Sequence, residues 1–311
     1  MTRRVLVSDP LSARALDALR AAPGIQVDER RGLTEAELLP VVAEIDAWIV
    51  RGGTKVTRRL IAAAPRLGWV ARAGAGLDNI DVAAAKERGI AVLNVPGANA
   101  VAVAELVFGL LIGLLRHIPA ADASVRRGEW DKSPYMGREL RGKTLGVVGL
   151  GKIGRAVAQR ARGFEMPCVG YDPVVPDSHA RTLGVEPLAL DALLARADVV
   201  TLHVPLTPET KGMIGPDQIA RLPRGAILVN AARGGLVDEP ALLAALESGA
   251  LSGAALDVFA GEPPKGSPLL SHPRVVLTPH IGSATAEAQE AVGEEIVKLL
   301  LKQMETAPAG R

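Results

Sequence analysis

Two of the five histidines in this 311-residue sequence, His203 and His280, stand at or just after short apolar runs that predict buried strands. Histidine gains and loses a proton near neutral pH, so both are candidates for general acid–base chemistry. Parallel strands bring such residues to one edge of a sheet, where ligands bind. Other polar residues stand after apolar runs in the same way: Asp9, Arg51, Arg72, Asn99, Asp172, Arg233 and Asp257. Any one of them could simply mark where a strand emerges, but the set favours a cleft between two sheets.

A glycine motif follows the predicted strand Thr144–Val148 and opens a helix at Lys152. Its three glycines are Gly149, Gly151 and Gly154. The first permits a tight turn, the second lets the backbone approach a pyrophosphate, and the third lets the helix pack closely on the strand. The unpaired N–H groups of the helix N-terminus favour an anion there. The motif predicts a dinucleotide site.

An acidic residue at the end of the next predicted strand sharpens that prediction. Asp172 follows Cys168–Tyr171 and lies 18 residues after Gly154. A carboxylate at this position accepts hydrogen bonds from the ribose hydroxyls of NAD and repels the 2′-phosphate of NADP. The other interpretation is a turn residue before Pro173. The strand–glycine–helix–strand context favours the cofactor role, and NAD over NADP.

Three further segments, Asn230–Glu239, Ala255–Pro264 and Leu277–Thr285, stand in the same order and spacing as in a known family. With the glycine motif they closely resemble the NAD-dependent D-isomer-specific 2-hydroxyacid dehydrogenases. Within that family the chain is most similar to the members that act on 3-phosphoglycerate. The resemblance implies hydride transfer between C2 of a D-2-hydroxy acid and NAD. The substrate it implies first is 3-phosphoglycerate, oxidised to 3-phosphohydroxypyruvate in serine biosynthesis.

The resemblance also implies three catalytic residues. His280 matches the family's acid/base, and Glu262 matches the acid that orients the imidazole and stabilises its charged form. Arg233 matches the arginine that holds the substrate carboxylate and polarises its carbonyl. Taken singly, each has a plainer interpretation: a strand-end histidine, a loop acid, or an arginine in a helix cap or surface ion pair.

The same comparison implies a substrate site and a cofactor site. The residues expected to contact substrate are Arg51, Arg72, Ala73, Gly74, Ala75, Gly76, Asn99, Arg233 and His280. Those expected to contact NAD are Gly149, Gly151, Lys152, Ile153, Gly154, Asp172, His203, Val204, Pro205, Thr210, Ala231, Ala232, Arg233, Asp257, His280 and Gly282. Ala75 and Val204 depart from the family, which often has hydroxyl residues there. These departures weaken the assignment to 3-phosphoglycerate and leave catalysis untouched.

Short apolar runs alternate with helical stretches along most of the chain, which predicts parallel sheets covered by helices on both faces. We predict an α/β fold with two doubly wound parallel-sheet domains. A Rossmann NAD-binding domain, residues 100–282, is inserted into a flavodoxin-like substrate domain, residues 1–99 and 283–311. The predicted strands are Arg4–Ser8, Ile25–Val27, Ala47–Val50, Trp69–Ala71, Ala91–Asn94, Thr144–Val148, Cys168–Tyr171, Val199–His203, Ala226–Asn230, Ala254–Val258 and Val275–Thr278.

Composition narrows the possible partners. A net charge of +2 and 3% aromatic residues give no sign of nucleic-acid binding. Cys168 is the single cysteine, so an internal disulfide and a cysteine metal cluster are excluded, and no metal is expected. The longest apolar run, Leu106–Leu115, is too short to span a bilayer, and the N-terminus does not resemble a signal peptide. We therefore expect a soluble cytoplasmic protein that binds a small-molecule acid and no membrane.

A predicted helix, Ala100–His117, carries Gly109 and Gly113, a spacing that favours close helix packing. In the family this helix lies at a dimer interface, so we expect a homodimer; packing within one chain is the other interpretation. The sequence has one predicted helix after His280, so a C-terminal regulatory domain, and feedback inhibition by serine through it, are not expected.

Two other functions fit the same motifs. One is a glyoxylate or hydroxypyruvate reductase that uses the same Arg233, Glu262 and His280. The other is a non-enzymatic NAD(H)-sensing protein on this fold, which the intact catalytic residues disfavour.

Overall fold

A computed structural model describes residues 2–306 of the chain, and these residues divide into two compact units. The first unit is made of the chain up to Asn99 together with the chain from Ala284 onward. The second unit is the intervening segment, Ala100–Ser283. Ser283 falls in the second unit, whereas the sequence pattern assigns it to the other domain.

The first unit contains a parallel sheet of five strands. They are β1 Arg3–Val7, β2 Ile25–Glu29, β3 Ala47–Val50, β4 Trp69–Arg72 and β5 Ala91–Asn94. Their order, β2-β1-β3-β4-β5, is that of a flavodoxin-like sheet.

The second unit contains a parallel sheet of seven strands. They are β6 Leu145–Val148, β7 Cys168–Tyr171, β8 Val185–Pro187, β9 Val199–Leu202, β10 Ala226–Asn230, β11 Leu251–Leu256 and β12 Val275–Leu277. The order β12-β11-β10-β9-β6-β7-β8 is the Rossmann order with one more strand at its end. The predicted fold class, with two doubly wound parallel sheets, is confirmed.

Two strands differ from the prediction for local reasons. β8 is not predicted by the apolar pattern, since it is three residues long and ends in Pro187, which cannot donate to a ladder. β11 begins three residues earlier than predicted and includes Ser252 and Gly253, which interrupt the apolar pattern. A Cβ on Gly253 would lie 3.0 Å from the Leu114 side chain, so this glycine lets a helix pack close to the strand.

Helices cover both faces of each sheet. In chain order they are α1 Ala13–Ala21, α2 Glu35–Val42, α3 Arg58–Ala62, α4 Val82–Glu87, α5 Ala100–Leu115, α6 Ile118–Arg126, α7 Lys152–Gly163, α8 Asp177–Thr182, α9 Leu190–Arg196, α10 Pro216–Ala220, α11 Glu239–Glu247 and α12 Ala286–Thr306. In the first unit, α1 and α12 pack on one face of the sheet and α2, α3 and α4 on the other. In the second, α5 and α7 cover one face and α9, α10 and α11 the other.

The predicted helix Ala100–His117 ends earlier, at Leu115. Pro119 has no N–H to donate to the Leu115 carbonyl, so the helical ladder cannot continue. His117 takes a left-handed conformation with φ of 53°, and α6 starts after it in a new direction. Among residues 2–306 no single helix is long and apolar enough to cross a membrane; α5 and α6 reach that length only when joined, and they are bent by 63°.

Candidate active site

The glycine turn between β6 and α7 is shaped by close backbone contacts. Gly149 has φ of 97°, and a Cβ there would lie 2.6 Å from the carbonyl oxygen of His203. A Cβ on Gly154 would collide with the carbonyl oxygen of Gly149. Gly151 differs, because a Cβ there would project into open space. The turn therefore has two glycines that the fold requires and one whose open side is free for a ligand.

Asp172 follows β7 and holds this turn from the side. One carboxylate oxygen accepts a hydrogen bond from the Leu150 N–H at 2.7 Å. The other accepts from the N–H groups of Val174 and Val175 at 2.8 and 3.0 Å. A carboxylate offers about four acceptor sites, so these three bonds leave capacity for a further donor.

The segment after β9 forms a wall beside the glycine turn. The Val204 side chain would lie 2.9 Å from a Cβ on Gly149. Thr210 fixes the shape of the following loop, because its hydroxyl donates to the Pro205 carbonyl at 2.6 Å and accepts from the Thr207 N–H at 2.8 Å. The predicted contacts Val204, Pro205 and Thr210 thus belong to one ordered segment.

His203, at the start of that segment, has a partly buried imidazole. Its Nε2 lies 2.9 Å from the Thr201 hydroxyl, and its Nδ1 is buried with no hydrogen-bond partner among the described residues. Burial disfavours the charged form and lowers the pKa of His203 to about 3. This histidine is therefore neutral at physiological pH, unlike a group that exchanges protons with a substrate.

His280 and Glu262 form a histidine–carboxylate pair. The distance from His280 Nδ1 to Glu262 Oε2 is 2.9 Å, and the two side chains are 47% and 40% exposed. The other oxygen of Glu262 accepts from the Phe259 N–H at 3.2 Å. With Nδ1 occupied by the carboxylate, Nε2 is the nitrogen left for proton exchange.

The backbone of His280 is in the left-handed region, with φ of 54°. This conformation is uncommon for a residue with a Cβ and persists where the surroundings impose it. The His280 N–H donates to the Asp257 carbonyl at 2.8 Å and to the Thr278 carbonyl at 3.1 Å. The loop after β12 is thus bonded to the end of β11.

The buried Asp257 carboxylate secures the same loop. Its Oδ1 accepts from the Thr278 hydroxyl at 2.6 Å and the Ile281 N–H at 2.8 Å, and its Oδ2 accepts from the Gly282 N–H at 2.8 Å. Asp257 has no solvent-exposed surface. In this structure its carboxylate orders the loop that carries His280; the cofactor contact expected of it stays a prediction.

Arg233 lies in a turn after β10 that Asn230 shapes. The Asn230 amide donates to the Arg233 carbonyl at 2.8 Å and accepts from the Ala232 N–H at 3.1 Å. A Cβ on the next residue, Gly234, would overlap the Phe259 carbonyl. Since Phe259 also bonds Glu262, the turn with Arg233 and the loop with Glu262 share this backbone contact.

The predicted substrate residues of the first unit lie at or after the carboxyl ends of β3, β4 and β5, with Arg72 as the last residue of β4. The Arg72 guanidinium lies against Gly74, where a Cβ would collide with it. Ala73 is buried, and the Asn94 amide donates to the Ala75 carbonyl at 2.5 Å. Asn99 has a buried side-chain oxygen with no hydrogen-bond partner among residues 2–306.

Comparison with known proteins shows the family to which this chain belongs. Residues 108–282 match the family model described as D-isomer specific 2-hydroxyacid dehydrogenase, NAD binding domain. The chain belongs to this family.

Two solved structures that are similar along nearly the whole chain illustrate the likeness. A Thermus thermophilus protein designated TT0316 is 41% identical with a TM-score of 0.88 and covers 97% of both chains. A glyoxylate reductase from Paecilomyes thermophila is 34% identical with a TM-score of 0.89, over 98% of this chain and 96% of that one.

Relatives with curated names are similar at higher identity. The D-3-phosphoglycerate dehydrogenase of Methanocaldococcus jannaschii is 50% identical over 96% of this chain and 57% of its own length. The enzyme of the same name from Rattus norvegicus is 46% identical over 94% of this chain and 55% of its own length. The chain thus spans little more than half the length of these relatives.

The second unit is an NAD-binding domain, and its residues fit the cofactor. The open side of Gly151 and the start of α7, which has no side-chain cap, leave backbone N–H groups free for a pyrophosphate. The remaining acceptor capacity of Asp172 suits a ribose hydroxyl. Within residues 2–306 no group of three or more histidine, cysteine or acidic side chains is placed to hold a metal ion.

Some structural roles are not apparent from the sequence. Thr278 and Asn230 stand inside the matching segments, but the sequence does not show their roles. The hydrogen bond of Thr278 to Asp257 depends on a contact between two segments, whereas Asn230 shapes the Arg233 turn through local hydrogen bonds. The sequence marks Asp9 only as a strand-end residue and does not single out Asn79. A polar residue beside a glycine-containing loop is a weak signal that could have directed attention to Asn79, which follows Gly74 and Gly76. For Asp9 the signal is its place just after an apolar run.

Proposed function

We propose that the protein is an NAD-dependent D-2-hydroxyacid dehydrogenase that oxidises 3-phosphoglycerate to 3-phosphohydroxypyruvate. The observation that carries the proposal is the 2.9 Å pair of His280 and Glu262 at the carboxyl edge of an NAD-binding sheet. Family membership supports the reaction class. The names of the relatives at 50% and 46% identity support the substrate.

In this proposal His280 is the general base. Its Nε2 takes the hydroxyl proton as the substrate is oxidised, and returns a proton in the reverse direction. Glu262 accepts the Nδ1–H and stabilises the imidazolium that forms, as carboxylates do in other histidine pairs. The glycine turn and Asp172 would hold NAD, which would supply the acceptor for the C2 hydride. The Asp257 hydrogen bonds keep the His280 loop in one conformation between these steps.

Arg233 binds the carboxylate of the substrate in this proposal. A guanidinium is always charged and binds a carboxylate through two parallel hydrogen bonds, which also fixes the orientation of C2. The turn made by Asn230 and Gly234 limits the positions that Arg233 can take. In the first unit, Arg51 and Arg72 supply positive charge for the phosphate. The loop Ala73–Gly76 supplies the backbone N–H groups of Ala75 and Gly76 for the carboxylate, because those of Ala73 and Gly74 donate to the carbonyl groups of Val50 and Arg72, both at 2.8 Å.

Steady-state kinetics would test the proposal. With NAD or NADH we expect the highest kcat/KM for 3-phosphoglycerate and 3-phosphohydroxypyruvate, and lower values for hydroxypyruvate, glyoxylate and pyruvate. A preference for glyoxylate or hydroxypyruvate would favour the reductase alternative, which the similar glyoxylate reductase structure keeps open. No turnover with any of these acids would contradict the enzyme. Equal efficiency with NADP would contradict the role of Asp172.

We also propose a homodimer that uses α5 and α6. The exposed sides of these helices carry three large apolar residues beside charged ones: Val101, Ile118 and Val125 are 55%, 50% and 54% exposed. A Cβ on Gly109 would meet no neighbour within 4 Å among residues 2–306, so packing among these residues does not explain this glycine. Sedimentation velocity would test the dimer. The cytoplasmic location stays a prediction, which fractionation of the source cells would test.

A further inference from the structure

The loop between β3 and α3 that begins with Arg51 is held from one side by the Asp9 carboxylate. Asp9 Oδ2 accepts from the N–H groups of Arg51 and Thr54 at 2.6 and 3.0 Å. Asp9 Oδ1 accepts from the Thr54 hydroxyl at 3.0 Å. A Cβ on Gly53 would lie 2.8 Å from Oδ1, so the loop closes around the carboxylate only with a glycine there.

The side-chain amide of Asn79 holds the same loop from the other side. Its Nδ2 donates to the carbonyl oxygens of Arg51 and Thr54, at 2.8 and 2.7 Å. These are the same two residues whose N–H groups bind Asp9. The backbone groups of Arg51 and Thr54, in the first half of this loop, are therefore fixed by one carboxylate and one amide.

Asn79 also contacts the second arginine of this sheet edge. Because both hydrogens of its amide face the loop carbonyls, its oxygen faces Arg72 and accepts from the guanidinium Nε at 3.3 Å. The same guanidinium lies against Gly74 in the next loop. One amide group thus connects the Arg51 loop, Arg72 and, through Arg72, the glycine loop Ala73–Gly76.

We propose that Asn79, together with Asp9, is a positioning residue that sets the affinity for the anionic end of the substrate, by holding Arg72 and the Arg51–Thr54 loop in one frame. The inference rests on the proposed function, since it concerns how that substrate is recognised. A phosphate is bound more tightly when the guanidinium groups that contact it are already oriented, because ordering long side chains on binding weakens affinity. Asn79 holds the Arg72 guanidinium and the backbone from which the Arg51 side chain extends before the substrate arrives, without contacting the substrate.

The test compares Asn79→Leu with Ile61→Val. Leucine has the same number of side-chain heavy atoms in the same branched arrangement as asparagine, and makes none of its hydrogen bonds. Ile61 is buried in the core of the same unit, and the hydrogen bonds of Asp9 and Asn79 described above are made to other residues, so we expect its variant to lower stability without changing the frame. The dissociation constants of 3-phosphoglycerate and of inorganic phosphate are measured by titration calorimetry on the NADH-saturated protein. That of NADH is measured by fluorescence.

For Asn79→Leu we expect a roughly tenfold weaker affinity for 3-phosphoglycerate, with unchanged affinity for NADH. In kinetics KM rises by a similar factor and kcat changes little, because the frame acts on binding. Ile61→Val leaves all three binding constants and KM unchanged. An affinity of Asn79→Leu within twofold of wild type, an equal loss in Ile61→Val, or a loss in kcat at constant KM would overturn the inference.

The binding measurement separates this inference from the proposed function. If the wild type binds 3-phosphoglycerate without oxidising it, the proposed function fails and the affinities of the two variants still decide the role of Asn79. If the wild type binds neither 3-phosphoglycerate nor inorganic phosphate, this edge of the sheet is not an anion site and the inference is overturned.

Discussion

The edges that carry the candidate residues are built differently in the two units. In the second unit, Gly149, Gly154 and Gly234 each sit where a Cβ would meet a backbone carbonyl group. In the first unit, Gly53 and Gly74 sit where a Cβ would meet a side chain, and the side chains of Asp9 and Asn79 hold the loop that begins with Arg51. Side-chain hydrogen bonds hold loops at both edges, as those of Asp172 and Asp257 do in the second unit, but in the second unit the glycines are required by the path of the backbone itself.

This difference agrees with the function proposed for each sheet edge. Hydride transfer and proton exchange are common to all 2-hydroxy acids, and they need a geometry that does not vary. Recognition of the acid's far end differs between substrates, and a hydrogen-bonded frame can change by single substitutions. We therefore expect substitutions in the second unit to reduce turnover or folding, and those around Asn79 to change affinity.

The largest effect is expected from His280→Asn. Asparagine tolerates the left-handed conformation that His280 adopts but cannot act as an acid or base near neutral pH. We expect kcat to fall by a factor of about 10²–10⁴, the usual contribution of general acid–base catalysis. Affinity for NADH and the unfolding temperature stay near wild type. If kcat falls less than tenfold, another group takes the proton.

A matched pair of glycine substitutions tests whether backbone contacts define the second edge. Gly154→Ala puts a Cβ against the Gly149 carbonyl, and we expect it to lower the free energy of unfolding by about 1–3 kcal/mol or more, as overpacking does. Gly151→Ala puts a Cβ in open space, so stability should be unchanged while affinity for NADH falls. Calorimetry and NADH fluorescence measure both. Equal stability of the two variants would show that the turn adapts.

The sequence predicted the parts of this arrangement that depend on local motifs. The strand–glycine–helix unit is contiguous, and the His280 and Glu262 segments match a known pattern, so both can be recognised from the order of residues alone. The frame of Asp9, Arg51 and Asn79 joins residues from separate loops. Nothing in the spacing along the chain indicates that one amide would reach two carbonyl groups 25 and 28 residues away.

The backbone conformation of His280 also could not be predicted from the spacing of residues along the chain. Its left-handed conformation arises from hydrogen bonds to the Asp257 and Thr278 carbonyls across two strands. A histidine next to a proline carries no sign of this in a sequence. Where an interaction is made between strands, the sequence indicated which residue types were present and not which atoms meet.

The smallest expected effect concerns acid stability, in which the two units also differ. All five histidines lie in the second unit, and among them His203 has the pKa lowered by burial to about 3. An unfolded imidazole titrates near 6.5, so the unfolded chain binds this proton first as the pH falls. The stability that comes from a neutral His203 is complete above about pH 6.5 and is lost as the pH falls towards 3.

When the pH falls from 7.5 to 5.0, we expect protonation of His203 in the unfolded chain to lower the free energy of unfolding of the wild type by about 1–2 kcal/mol. This follows from about 1.36 kcal/mol for each unit of difference in pKa. His203→Gln has no group that titrates there, so its stability should fall less over the same interval, and the difference between the two proteins isolates the histidine. Urea unfolding at both pH values measures it. If both proteins lose the same stability, His203 binds the proton in the folded protein as readily as in the unfolded chain. The buried Nδ1 of His203 must then reach a hydrogen-bond acceptor or water through a local rearrangement.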